Sequence, residues 1–178
     1  MKRIPVKRIH VIGCKNSGKT TLTVELVERF VALGYRVGTI KHTHHHHELD
    51  TPGKDSYRHS QAGAVASGIL APGMNAVFWP TPDGADGSDA RADDSERYER
   101  MLSAFPDCDL VLIEGHSQTE AFKIEVWRKD VSERPLAVED QSICAIVTDD
   151  PVDVTTPVWN RSDVPAVATH LLEMMGMK

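Results

Sequence analysis

The sequence predicts an α/β fold, a mostly parallel sheet with helices on both faces and a small antiparallel addition. Three observations predict it. Short apolar runs alternate with stretches of helical spacing. Several of the runs, such as Asp109–Ile113 (DLVLI) and Ile143–Val147, are continuously apolar, as strands buried on both faces are. Two runs, Ala64–Leu70 and Asn75–Trp79, flank the turn signal Ala71-Pro72-Gly73 and read as an antiparallel pair.

The elements follow in order. Ile9–Ile12 reads as a strand. Thr20–Leu33 carries Leu22, Leu26, Val27, Phe30 and Leu33 at helical spacing and stops at Gly34. Tyr35–Lys41 is a second strand, Thr43–Gly53 a polar loop, and Lys54–Ala62 a short helix. After the hairpin, residues 81–92 are Pro, Gly, Asp, Ser, Ala, Arg and Thr, a composition expected of a mobile surface loop. Asp93–Ala104 reads as a helix, Phe122–Trp127 as an alternating strand, and Asp163–Met175 as a closing amphipathic helix with Pro165 in its first turn. Trp79, Trp127 and Trp159 are expected to pack rather than to touch a ligand. The 178 residues predict one domain, residues 1–178.

Composition narrows the function. There are 20 basic and 26 acidic residues, and seven acids against two arginines fall between Asp83 and Glu99. The acidity is therefore one solvated stretch, and the chain lacks the basic excess of a general nucleic-acid binder. Cys14, Cys108 and Cys144 form no short-spaced pair, which fits a reducing compartment. No run reaches the ~18 apolar residues of a membrane span, and the basic start lacks a signal-length apolar run. These features point to a cytoplasmic protein acting on neither membrane nor nucleic acid.

The chemistry begins at Gly13-Cys14-Lys15-Asn16-Ser17-Gly18-Lys19-Thr20, which matches G-x-x-x-x-G-K-[ST] between a strand and a helix. Glycines let main-chain N–H groups wrap a phosphate, and the helix N-terminus adds its dipole. Lys19 supplies charge at the β- and γ-phosphates, and Thr20 a hydroxyl for Mg²⁺. Thr21 completes the predicted nucleotide contacts. Lys15 is among these predicted nucleotide residues, either reaching a neighbouring subunit's nucleotide or standing as an exposed loop lysine.

A second metal-side oxygen should stand at the end of another strand. Asp109 and Glu114 lie about 16 Å apart along one strand, so only one can face the nucleotide. Ligands bind at the carboxyl ends of parallel strands, which selects Glu114 and leaves Asp109 at the strand's start. Asp55, in the turn before the short helix, is a second candidate for the metal or the attacking water; helix-end charge complementarity is its alternative role. The run Lys41-His42-Thr43-His44-His45-His46-His47 follows a strand at the same edge. It reads as an anion-binding rim formed by Lys41, His42, His44 and His45, as a transition-metal site, or as a solvated loop. Consecutive histidines cannot all converge on one ion, which weighs against the metal. Thr148 and Asp149, after the strand Ile143–Val147, stand where a carboxylate would accept from guanine, or else form an ordinary turn.

Together, GCKNSGKTTL, GTIKHTHHHHELDTPGKDSYRHSQAGA, DLVLIEG and FKIEVWR resemble the molybdopterin-guanine dinucleotide biosynthesis protein B family, over roughly Lys7 to Val147. The resemblance implies a homodimeric P-loop protein that binds GTP with Mg²⁺ and hydrolyses it weakly. It also implies assistance to the guanylyltransferase that joins GMP to molybdopterin. By that resemblance Lys19 and Thr20 carry phosphate and metal, Glu114 and Asp55 the metal side, and the 41–47 loop the nucleotide or pterin phosphate. The chain departs from the family in two places. His116-Ser117-Gln118 replaces an aromatic residue and a lysine, with Lys123 expected to supply the missing charge, and the acidic insert Asp83–Asp94 is non-standard. Two other readings remain at this level: a nickel- or zinc-inserting GTPase using the histidines, and a small-molecule kinase.

Overall fold

The computed structural model describes residues 6–43, 49–79, 95–105 and 107–177. Its contacts divide the chain into two compact units, residues 43–94 and the remainder.

The larger unit is built on a six-stranded parallel sheet. Its strands are β1 (Lys7–Ile12), β2 (Val37–Lys41), β5 (Leu110–Glu114), β6 (Lys123–Val126), β7 (Ile143–Val147) and β8 (Val158–Trp159), in the order β2-β5-β1-β6-β7-β8. Both of its faces are covered. On one, α1 (Lys19–Ala32) and α4 (Val164–Met174) bury Leu22, Leu26, Phe30, Val167 and Leu171 against Ile9, Val11, Leu112 and Ile124. On the other, α3 (Ser95–Ser103) places Tyr98 and Leu102 over Val111 and Ile113. Ile12, Trp127 and Ile146 pack with Ala137 of the 3₁₀ turn Leu136–Val138.

Local chemistry sets the helix ends. Asp163 caps α4 by accepting from the Ala166 N–H at 3.0 Å, with a proline in the first turn as expected. The strand β5 is entered through Asp109, whose carboxylate accepts from the Arg36 backbone N–H at 2.8 Å and from its guanidinium at 2.9 and 3.3 Å. Those bonds hold the Asp109 carboxyl down at about 2. Asp109 is thus a fastening at the strand's start, as its place in the sequence predicted.

The connection from β5 to β6 is unusually short. The two strands flank β1, and parallel strands normally need a dozen or more residues to cross over. Residues 115–122 suffice because β6 begins where β5 ends: Glu114 is level with Val11, and Lys123 with His10. The chain never has to run back along the sheet.

The smaller unit holds α2 (Asp55–Gln61) and the antiparallel pair β3 (Ser67–Leu70) and β4 (Asn75–Phe78). Ser56 donates to Asp50 at 2.7 Å before the helix, and Ser60 and Ser67 bond at 3.2 Å where the helix meets the hairpin. The first hairpin strand is three residues shorter than the run Ala64–Leu70 suggested, because Ala64 still bonds back to the His59 carbonyl. The strand β8 and the 3₁₀ turn have no counterpart in the sequence reading. The predicted loop 81–92 lies outside the described residues.

Candidate functional site

The carboxyl edge of β1 leads into the loop Gly13–Thr20. Gly13 has φ +141° and no room for a side chain: a Cβ there would meet the Val126 carbonyl oxygen at 2.3 Å. The loop then curls through two positive-φ residues, Asn16 (φ 67°) and Gly18 (φ 96°). Such turns direct successive N–H groups into a concavity. The helix α1 that follows has no side-chain cap and no acid in its first turn. Its first N–H groups and positive dipole end are left for an anion. Ser17 Oγ, buried in the loop, has no hydrogen-bond partner among the described residues.

Lys19 folds back over the loop, its Nζ donating to the Cys14 carbonyl at 2.6 Å. Burial lowers its pKa, partly offset by the Glu114 carboxylate. Thr20 Oγ1 donates to Glu114 Oε1 at 2.8 Å, and Lys41 Nζ lies 3.4 Å from the same oxygen. Lys19, Thr20, Glu114 and Lys41 were all selected from sequence, and the fold brings them to one edge. Lys15 and Thr21 are exposed beside them. Thr20, Lys41 and Glu114 open into a cleft of about 370 Å³ whose walls include Val24, Val27 and Ile40. A larger concavity of about 640 Å³ lies at the opposite end of β7, around Ile143 and Pro157, away from this chemistry.

A hydroxyl and a carboxylate 2.8 Å apart suit a hard cation that completes its shell with phosphate and water. Mg²⁺ fits that donor set. Among the described residues there is no group of three His, Cys, Asp or Glu side chains able to hold a metal. His44 and His45 lie outside the described residues. Asp55 is the exposed first residue of α2, in the smaller unit.

Just after Glu114 in the chain, His116 joins an aromatic cluster with His42, which sequence reasoning placed in the anion rim, and with Tyr98 and His10, which it missed. His42 and His116 stack at 4.5 Å between centroids, and Tyr98 OH bonds His116 Nδ1 at 3.0 Å. His10 is fully buried, 5.5 Å from the Tyr98 ring, with Nδ1 3.3 Å from the Gly115 carbonyl oxygen. Burial lowers the His10 pKa to about 4, against the raising effect of that carbonyl. A histidine inside an apolar strand, as in Arg8-Ile9-His10-Val11-Ile12, was the available signal.

Two expectations meet a different geometry. Lys123 is 2% exposed and its ammonium is fully engaged inside the protein, so it does not replace the family's lysine as a charge at the phosphate edge. Strand alternation puts it on the same side of β6 as Glu125, which accepts from the Leu136 and Ala137 N–H groups of the 3₁₀ turn. Asp149 accepts from the Ser162 N–H at 2.8 Å and the Ser162 hydroxyl at 2.6 Å, bonds that lower its pKa. The adjacent Asp150 accepts from the Lys129 N–H at 2.8 Å, and Thr148 is buried. The two aspartates lace together the loops that follow β6, β7 and β8.

Comparison with known proteins converges on one family. Residues 8–149 match the family described as molybdopterin guanine dinucleotide synthesis protein B. The chain is 34% identical over 163 residues to the molybdopterin-guanine dinucleotide biosynthesis adapter protein of Escherichia coli (strain K12), covering 89% of this chain and 87% of that one. It is 31% identical over 161 residues to the Haemophilus influenzae protein of the same name, covering 90% and 85%. Among solved structures, one of a molybdopterin-guanine biosynthesis protein B superposes with a TM-score of 0.67 at 26% identity, covering 94% of this chain and 97% of that one. Bacillus subtilis MobB also gives 0.67, at 23% identity and 94% and 96% coverage, a likeness of fold.

Proposed function

The chain belongs to the molybdopterin guanine dinucleotide synthesis protein B family, and from that premise we propose that it is a GTP-binding adapter with weak Mg²⁺-dependent GTPase activity. It serves the enzyme that joins a guanine nucleotide to molybdopterin, in the cytoplasm and as a homodimer. The observation that carries this reading is the loop Gly13–Thr20, closed over an uncapped helix, with Thr20 and Glu114 2.8 Å apart at its mouth. Main-chain N–H groups hold the phosphates. Lys19 releases the Cys14 carbonyl and places its ammonium on the β- and γ-oxygens. Bound Mg²⁺ would neutralise phosphate charge, with Thr20 and Glu114 as its protein-side oxygens. Asp55 is proposed as an additional metal- or water-side group, and Lys41, His42, His44 and His45 as the anion rim. The described residues lining the cleft at Thr20 and Glu114 include no arginine to stabilise the transition state, which supports slow hydrolysis.

Base choice is assigned to the loop Thr148–Asp149, where Asp149 accepts the guanine edge in addition to its bonds from Ser162. The dimer reading is supported by the smaller unit, where Leu70, Met74 and Val77 are 89%, 77% and 54% exposed.

Titration calorimetry with GTP and Mg²⁺ tests the site. Lys19→Ala should weaken binding by about 100-fold or more, a loss consistent with removing a charge-assisted contact to phosphate plus Mg²⁺ coupling. Micromolar affinity in that variant would refute the reading. ATP competing as well as GTP would remove the role given to Asp149.

A further inference from the structure

We propose that Lys123 is a positioning residue for Glu114: its buried ammonium fixes the crossover 115–122 and thereby the carboxylate at the metal side. The proposal rests on the reading of Glu114 given above.

Three observations support it. First, every N–H of the ammonium is used. Lys123 Nζ donates to the Ser117 carbonyl at 2.8 Å and the Thr119 carbonyl at 2.9 Å, and pairs with Asp140 Oδ2 at 2.6 Å. A buried charge is stable only when paired and fully hydrogen-bonded, and breaking such a pair is costly. Second, the two carbonyls belong to the crossover, which contains no helix and cannot satisfy them within itself. Third, the crossover begins directly after Glu114. Gly115 has φ +98° and sits so close to the His42 carbonyl oxygen that a Cβ would be 2.8 Å away. Its N–H bonds the Val11 carbonyl at 3.0 Å and its carbonyl meets His10 Nδ1 at 3.3 Å.

The crossover is thus fastened at its start and at its middle by adjacent residues of the sheet, since His10 and Lys123 are register partners. His10 holds its first residue, and Lys123 holds its middle. Asp140, from the far side of the 3₁₀ turn, completes the anchor and is itself held by the Ser142 N–H at 2.9 Å. Glu114 is 14% exposed, with its Oε1 within reach of both Thr20 and Lys41, so a shift of about an ångström would break the pairing. A hydrophobic side chain at position 123 would fill the same space without holding the loop.

The test is calorimetry of GTP binding by the full chain, with and without Mg²⁺, together with hydrogen exchange of residues 115–121. Lys123→Met should leave affinity in EDTA within about threefold and cut the Mg²⁺-dependent gain by about 10- to 100-fold, the usual cost of losing an outer-shell partner. The crossover amides should exchange faster. A purely structural lysine would lower stability and leave the Mg²⁺ gain intact, and that result overturns the proposal. Asp140→Asn, which keeps both carbonyl bonds, should give a smaller loss of the gain in the same direction, and serves if Lys123→Met does not fold. Glu114→Gln separates the two readings. If it retains the Mg²⁺ gain, the metal-side role of Glu114 falls and the proposal with it, while the exchange data still report whether Lys123 holds the crossover.

Discussion

Gly13 at the start of the phosphate loop and Gly18 at the N-cap of α1 both have positive φ, yet they should not tolerate alanine equally. At Gly18 a methyl meets nothing within 4 Å, so Gly18→Ala incurs only backbone strain, about 1–2 kcal/mol. At Gly13 the methyl would lie 2.3 Å from the Val126 carbonyl oxygen and 2.8 Å from Ser17 Oγ. Either β1 or β6 must move, which adds a further 1–3 kcal/mol or so of overpacking. Urea denaturation should therefore rank Gly13→Ala well below Gly18→Ala in midpoint; equal midpoints would contradict the close approach. At this scale the phosphate loop was readable because its eight residues are contiguous, and Glu114 because it ends an apolar run. Lys123 was misread because its partners, Ser117, Thr119 and Asp140, are brought to it by a crossover and a 3₁₀ turn that spacing does not announce. At Asp149 the sequence left a guanine contact and an ordinary turn open, because Ser162, thirteen positions away, gives no local sign of the bonds it makes to that carboxylate.

Among the elements, β1 carries an internal pH dependence. Burial first, and then the neighbouring His116, Arg8 and His42, disfavour a proton on His10, against the raising effect of the Gly115 carbonyl. The unfolded chain takes up this proton near pH 6.5, while the folded chain does not until about 4. Between those values the unfolded state binds more protons, so stability falls as pH drops, by up to roughly 3 kcal/mol. The urea midpoint should decrease between pH 7 and pH 5, and His10→Gln should flatten that part of the decrease. An unchanged slope in the variant would remove His10 as its source. The central strands were legible from their apolar runs alone. The edge strand β8 was not: two residues after Thr155-Thr156-Pro157 have no periodicity, and they become a strand only through pairing with Ile146 and Val147.

Across the whole molecule the strand order explains why the chemistry gathers where it does. The chain leaves β1 through the phosphate loop, fills one side of the sheet with β5 and β2, and fills the other with β6, β7 and β8. Loops on the two sides of β1 part at its carboxyl end, which is where parallel sheets bind ligands. The phosphate loop, Glu114 and Lys41 all stand at that edge, so ligand binding should be felt by the entire larger unit. A ligand at 100 times its dissociation constant stabilises the folded state by about 2.7 kcal/mol, provided it does not bind the unfolded chain. For a chain of 178 residues, each kcal/mol raises Tm by about 2–4 °C. Saturating GTP with Mg²⁺ should therefore raise Tm by roughly 5–10 °C in a thermal melt. Lys19→Ala should lose that rise while its ligand-free Tm changes little, because among the described residues the ammonium's hydrogen bond is to the Cys14 carbonyl of its own loop. A ligand-free Tm that fell as far as the lost rise would mean that Lys19 acts by holding the loop's shape rather than by meeting phosphate.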